Sequence, residues 1–156
     1  VKLASGIAPV SRYLDEGLNL AIGTDGAASN NALDMFREMY LTAVLQKVAN
    51  MDAASCDPLK VLEMACVGGA RAMGLDDCDD IAEGKKADLI VLDLTRPNMQ
   101  PIHNIPKNIV YAGSKGKPAL TSGAPPCALS ARTVATSTTA SGLRPDARHL
   151  MFQNFS

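Results

Sequence analysis

Apolar positions along this chain change between helical and extended spacing, and the changes mark its elements. Residues 9–16 open on a proline, carry Val10, Tyr13 and Leu14 on one face and precede Gly17 in a C-cap position, which predicts the end of a helix. Leu18-Asn19-Leu20-Ala21-Ile22-Gly23 is a nearly continuous apolar run, of the kind buried on both faces in a parallel sheet. It stops at Thr24-Asp25-Gly26. After the small and polar residues 27–31, Leu33, Phe36, Tyr40, Val44 and Val48 recur at spacings of three and four, which predicts an amphipathic helix facing the core with that stripe.

A second helix is predicted from Asp57 as N-cap and Pro58 in the first helical position to Gly74, with Leu62, Ala65, Cys66, Gly69 and Met73 on one stripe. Its Gly68-Gly69 pair costs about 1 kcal/mol of helix propensity per glycine relative to Ala, so close packing must need the room. Residues 76–84 form an acidic loop, residues 85–94 a turn followed by a strand, and residues 108–112 a final short strand. From Pro118 on, 17 of 39 residues are Ala, Ser or Thr, and Asp146 is the only acid. The apolar residues there show neither helical nor strand periodicity, so residues 118–156 read as a low-complexity, disordered tail with an apolar end near Leu150.

Composition narrows the function classes. The 156 residues carry 15 Lys+Arg against 16 Asp+Glu, so no bulk field recruits nucleic acid. The strongest apolar stretch, residues 87–94, is interrupted by Asp88 and Asp93 and falls far short of the roughly 20 residues that cross a bilayer. Cys56, Cys66, Cys78 and Cys127 form no C-x-x-C pair, which suits a reduced, cytoplasmic chain better than a zinc ribbon. The first residue is Val1 rather than Met, with no signal-peptide pattern after it, which raises the expectation that the gene starts further upstream.

The constellation with chemical content is Gly23-Thr24-Asp25-Gly26-Ala27-Ala28-Ser29-Asn30-Asn31, which places a carboxylate at the carboxyl end of the predicted strand. In parallel α/β folds ligands and catalytic groups gather at that end. The same residues also read as an Asp-Gly turn in which Asp25 bonds local amides, and the pattern alone leaves both open. His103 has no second ligand at metal-site spacing and reads as a structural histidine bonding a loop backbone. Met35, Met39, Met51, Met64 and Met73 read as core filler, and the acids at residues 76–80 as a solvated loop rather than a calcium site.

Several co-linear segments together resemble the amidohydrolase superfamily. They are Lys2-Leu3-Ala4-Ser5-Gly6-Ile7-Ala8-Pro9-Val10, the Gly23 to Asn31 run, Leu33-Asp34-Met35-Phe36 with Glu38-Met39, Gly69-Ala70-Arg71-Ala72, Glu83-Gly84-Lys85-Lys86-Ala87-Asp88-Leu89-Ile90-Val91, Pro101-Ile102-His103-Asn104 and Val110-Tyr111-Ala112. Within the superfamily they are most similar to the metal-dependent deaminases of 5-methylthioadenosine and S-adenosylhomocysteine. The resemblance implies an α/β fold: the C-terminal part of a (β/α)₈ TIM barrel in residues 1–74, with residues 18–24 as the eighth strand, and the first strands of a flanking β-sandwich in residues 75–117. A barrel alone takes about 250 residues, so the barrel would be incomplete.

The resemblance further implies that Asp25 is both a metal ligand and the catalytic group that handles the proton of the attacking water. The cofactor would be a divalent metal, zinc first, and the substrate a small purine nucleoside derivative that undergoes hydrolytic deamination. Metal activation brings the pKa of water from near 16 to about 7. The family's remaining ligands are histidines, and this sequence has only His103 and His149, so the chain alone is expected to be inactive. A second reading, of a different class, is a non-catalytic remnant or interaction module with an exposed apolar face. The abrupt loss of resemblance from Gly116 onward is what a frameshift would produce.

Overall fold

Asp34 starts the longest helix. Its carboxylate accepts from the backbone N–H of Phe36 at 3.0 Å and of Arg37 at 3.5 Å, and α2 then runs over Met35–Ala49. The computed structural model describes residues 2–86, 89–114, 120–122 and 149–153. α1 is Val10–Asp15, and its chain turns away through Gly17 at a φ of 73°, the left-handed conformation a helix C-terminus favours.

The predicted α2 is there, but of the predicted stripe only Phe36 packs against the core. Met39, Ala43 and Gln46 are buried, whereas Tyr40 and Val48, and Leu33 just ahead of the helix, are exposed. The helix is apolar on more than one side, and α1, α3 and α5 cover one of them.

The second helical run follows its predicted limits with an interruption. Asp57 caps α3 (Pro58–Glu63) by accepting from Leu59 N–H at 2.8 Å. A π turn, Met64–Gly68, separates it from α4 (Gly69–Ala72), and Gly74 closes the run at a φ of 69°. Met73, predicted to be buried, is exposed, because the π turn breaks the stripe. Of the other methionines read as core, Met39 and Met64 are buried and Met51 is exposed.

The segment 18–24 is extended but is not a strand, because no neighbouring segment among the described residues ladders with it. It lies along the π turn instead. Ile22 N–H donates to the Met64 carbonyl at 3.3 Å, Asn19 Nδ2 donates to the Gly68 carbonyl at 3.2 Å, and Leu20 and Ile22 pack on the core. A Cβ on Gly68 would stand 1.9 Å from the Leu20 carbonyl oxygen, which explains why a glycine interrupts this helix.

Residues 108–112 are helical rather than extended. Asn104 accepts from Lys107 N–H at 3.0 Å and Pro106 occupies the first turn, so α5 (Ile105–Ala112) starts with two helix-initiating residues just ahead of the apolar run. Ile109 and Val110 are fully buried on it and join Met39, Ala43, Val61, Leu62, Met64, Leu94 and Met99 in one core.

The strand expected within residues 85–94 forms as β1 (Leu89–Asp93). β2 (Leu120–Ser122) and β3 (His149–Gln153) flank it antiparallel, with Ile90 opposite Thr121 on one side and Phe152 on the other. Both flanking strands fall in the stretch read as a disordered tail, whose other residues lie outside the described ones. Ahead of β1, Lys85 pairs with Asp79 and Asp80, and Lys86 with Asp77, so this acidic loop carries its own counterions.

Candidate functional site

Asp25 ends the extended segment in a left-handed conformation, φ 59°, that Asp adopts more readily than most residues. The chain reverses there: Ser29 and Asn30 N–H both donate to the Gly26 carbonyl, at 3.1 and 2.9 Å. The carboxylate is held at both oxygens. Gly26 N–H donates to Oδ1 at 2.7 Å, and Ser29 Oγ donates to Oδ2 at 2.6 Å, short as charge-assisted bonds are. The Ser29 bond first, and the Gly26 bond second, hold the Asp25 carboxyl below the usual aspartate range. Asp25 is therefore an exposed, ionised and oriented carboxylate. The turn reading and the site reading of this sequence both describe it, because the turn bonds are what aim the group.

The carboxylate borders a cavity of about 530 Å³. Residues 2–8 form one wall, the loop from Gly23 to Asn31 another, and Arg37, Glu38, Leu41, Thr42, Leu45 and Gln46 of α2 a third. Side chains brace the loop from two directions. Asn30 Nδ2 donates to Glu38 Oε1 at 2.7 Å, and Lys2 Nζ donates to Asn31 Oδ1 and, at 3.1 Å, to the Ala28 carbonyl. Ser29 thus aims the carboxylate, while Asn30 and Asn31 tie its loop to α2 and to Lys2.

The reading missed Lys2, Arg37, Glu38 and Gln46 as cavity residues. Glu38 carried a legible signal, since it lies in the first turn behind the Asp34 cap and faces the preceding loop. Lys2 and Gln46 act across 26 or more residues, which no local pattern reports.

The histidines stand elsewhere. His103 is exposed and, contrary to the expected loop bond, makes no hydrogen bond among the described residues. His149 begins β3, opposite Asp93. Among the described residues no three His, Cys, Asp or Glu side chains gather where they could hold a metal ion. Asp25 is one carboxylate, and a catalytic zinc takes three protein ligands, so the donors present here do not by themselves fit a metal.

Comparison with known proteins gives this geometry a context. Residues 1–124 match the amidohydrolase family. The chain is 50% identical over 112 residues to a 5′-deoxyadenosine deaminase of Methanosphaera stadtmanae, covering 72% of this chain and 26% of that protein. It is 49% identical over 121 residues to a 5-methylthioadenosine/S-adenosylhomocysteine deaminase of Nitratidesulfovibrio vulgaris, covering 78% of this chain and 27% of that protein. Its fold is similar, with a TM-score of 0.71 and 42% identity, to the crystal structure of an adenosine deaminase from Xanthomonas campestris with bound zinc, over 77% of this chain and 30% of that one. The chain thus spans about a quarter of the length of these curated relatives.

Proposed function

The chain belongs to the amidohydrolase family, and from that premise we propose that it carries the aspartate of a metal-dependent deaminase site for a purine nucleoside derivative. The observation that carries this reading is Asp25 itself: an ionised carboxylate aimed by Ser29 and Gly26 at the edge of a cavity. The relatives' names supply the substrate class, a small 5′-modified adenosine, and the zinc-bound neighbour supplies the metal.

In this reading Asp25 is one ligand of a divalent ion, zinc first, whose other ligands lie outside this chain. Residues 1–74 are the last part of a TIM barrel and residues 75–117 lead into a flanking β-sandwich, with β2 and β3 beyond them paired to β1. The compartment is the cytosol, which the absence of a disulfide among Cys56, Cys66 and Cys78 suits. No helix among the described residues is long and apolar enough to cross a membrane.

The proton chemistry belongs to Asp25. Water adds its oxygen to the ring carbon that bears the amine; the Asp25 carboxylate takes the released proton and returns it to the departing nitrogen, which leaves as ammonia. The Ser29 and Gly26 bonds hold the carboxylate ionised and oriented toward the cavity edge, at some loss of basicity. The test is Asp25→Asn in a protein of the relatives' length that contains this chain. Ammonia release from 5′-deoxyadenosine should fall at least about a thousandfold. Retained activity in the variant, or a wild-type protein that deaminates no purine nucleoside, would refute the reading.

A further inference from the structure

We propose that Gln46 is a positioning residue that pins residues 2–8 as one wall of the Asp25 cavity, an inference that rests on reading this cavity as the substrate pocket. Gln46 is the only polar residue fully buried among the described residues, 2% exposed, on a helix whose other buried positions are Met39 and Ala43. All its side-chain hydrogen bonds run to the segment that enters α1 and to the first turn of that helix. Nε2 donates to the Ala8 carbonyl at 2.7 Å, and Oε1 accepts from Ser11 N–H at 3.2 Å and Ser11 Oγ at 3.4 Å. Pro9 gives α1 no side-chain cap, so the orphan Ser11 N–H is satisfied from α2 instead.

Residues 2–8 have little else to hold them. Their backbone N–H groups donate to nothing among the described residues, the chain turns through left-handed conformations at Ala4 and Gly6, and Leu3 and Ile7 are 65% and 47% exposed. Two side chains fasten the segment: Lys2 at its start, to the Asp25 loop, and Gln46 at its end. A methionine would fill the same volume, but it could not hold Ala8. The buried amide is therefore explained by what it grips rather than by the space it fills.

Two substitutions in the full chain test this, Gln46→Leu and Gln46→Glu. In Q46L the Ser11 amide should exchange roughly tenfold faster and the Ala8 carbonyl ¹³C resonance should shift, while amides of α3 and α5 keep their protection. Q46E separates grip from volume. Its protonated carboxyl reproduces the amide, donating to Ala8 and accepting from Ser11, whereas the ionised form has no donor. The Ala8 resonance should therefore match wild type at low pH and move toward the Q46L position as the glutamate ionises. Lys2, Asp25, Arg37 and Glu38 line the same cavity and Lys47 is adjacent, so the wild-type titration of the Ala8 resonance is the control.

In a deaminating protein that contains this chain, Q46L should raise KM several-fold with kcat little changed. Unchanged Ser11 exchange in Q46L, or an Ala8 resonance in Q46E that matches wild type at every pH, overturns the pin. A confirmed pin with unchanged KM overturns the wall. Should the wild-type protein deaminate no purine nucleoside, the proposed function fails while exchange and resonance still decide the pin.

Discussion

Gly68 and Gly69 are adjacent, yet alanine at the two should act in opposite directions. A Cβ on Gly68 would meet the Leu20 carbonyl oxygen at 1.9 Å, and an ordinary contact of 3.4 Å or more requires the π turn and the extended segment to part by about 1.5 Å. That movement breaks the Ile22 to Met64 bond at 3.3 Å and the Asn19 to Gly68 bond at 3.2 Å. Each bond contributes about 1 kcal/mol, and loosened packing of Leu20 and Ile22 about as much again. The helix propensity gained by replacing glycine offsets about 1 kcal/mol, so Gly68→Ala should destabilise by about 2 kcal/mol.

At Gly69 the nearest atom to an added Cβ is the Met64 carbonyl oxygen at 3.9 Å, so Gly69→Ala keeps only the propensity gain, up to about 1 kcal/mol. Thermal unfolding of the three chains measures this: Gly68→Ala should melt about 4–8 °C below wild type and Gly69→Ala at or above it. A Gly68→Ala chain as stable as wild type, or two variants that shift together, would refute the packing of residues 18–24 on the π turn.

Three further outcomes are expected. Asp25 should titrate below the ordinary aspartate value, and Ser29→Ala should move it back up, because the Ser29 bond is the largest cause of the depression; carboxyl ¹³C NMR reads both. The sign follows from the lowered folded-state pKa: Asp25 favours the folded chain above its unfolded value of about 3.9, and that contribution fades as pH falls through the folded one. Burial pushes the Cys66 thiol up to about 11, so at pH 8 its alkylation in the native chain should be slower than that of an ordinary thiol by at least about a hundredfold, read by mass spectrometry against the unfolded chain. Asp34→Ala removes the acceptor that meets Phe36 and Arg37 N–H and should cost about 1 kcal/mol in denaturant unfolding, with Asp34→Asn retaining most of the cap.

Local chemistry was legible in the sequence and partnership was not. Gly17, Asp57, Pro58 and Gly74 punctuate helices where the pattern placed them, because caps are decided within a few residues. Residues 18–24 have the composition of a buried strand, but strand pairing is a property of two segments, and the described residues supply no second one. At α5, Ile109 and Val110 suit strand and helix alike, and the deciding residues were Asn104 and Pro106 just upstream. For the site, Asp25 and its turn were visible as a motif. The grip of Gln46 on Ala8 and of Lys2 on Asn31 joins residues far apart in sequence, where no periodicity reaches.

The π turn at Met64–Gly68 also sets the phase of everything after it. A turn closed one residue wider than an α turn acts as a single inserted residue, and in an α-helix one residue is about 100° of rotation. The face continued from Leu62 in strict α-helical register arrives at Gly69 and Met73; with the extra residue it arrives at Ala70, which is fully buried, while Met73 is left in solvent. Deleting any one residue of that turn would therefore do more than shorten a helix. It would regularise the run and rotate α4 by a quarter turn, carrying Gly68 away from Leu20, so that the spacing of this segment in the gene is constrained as tightly as its residue types.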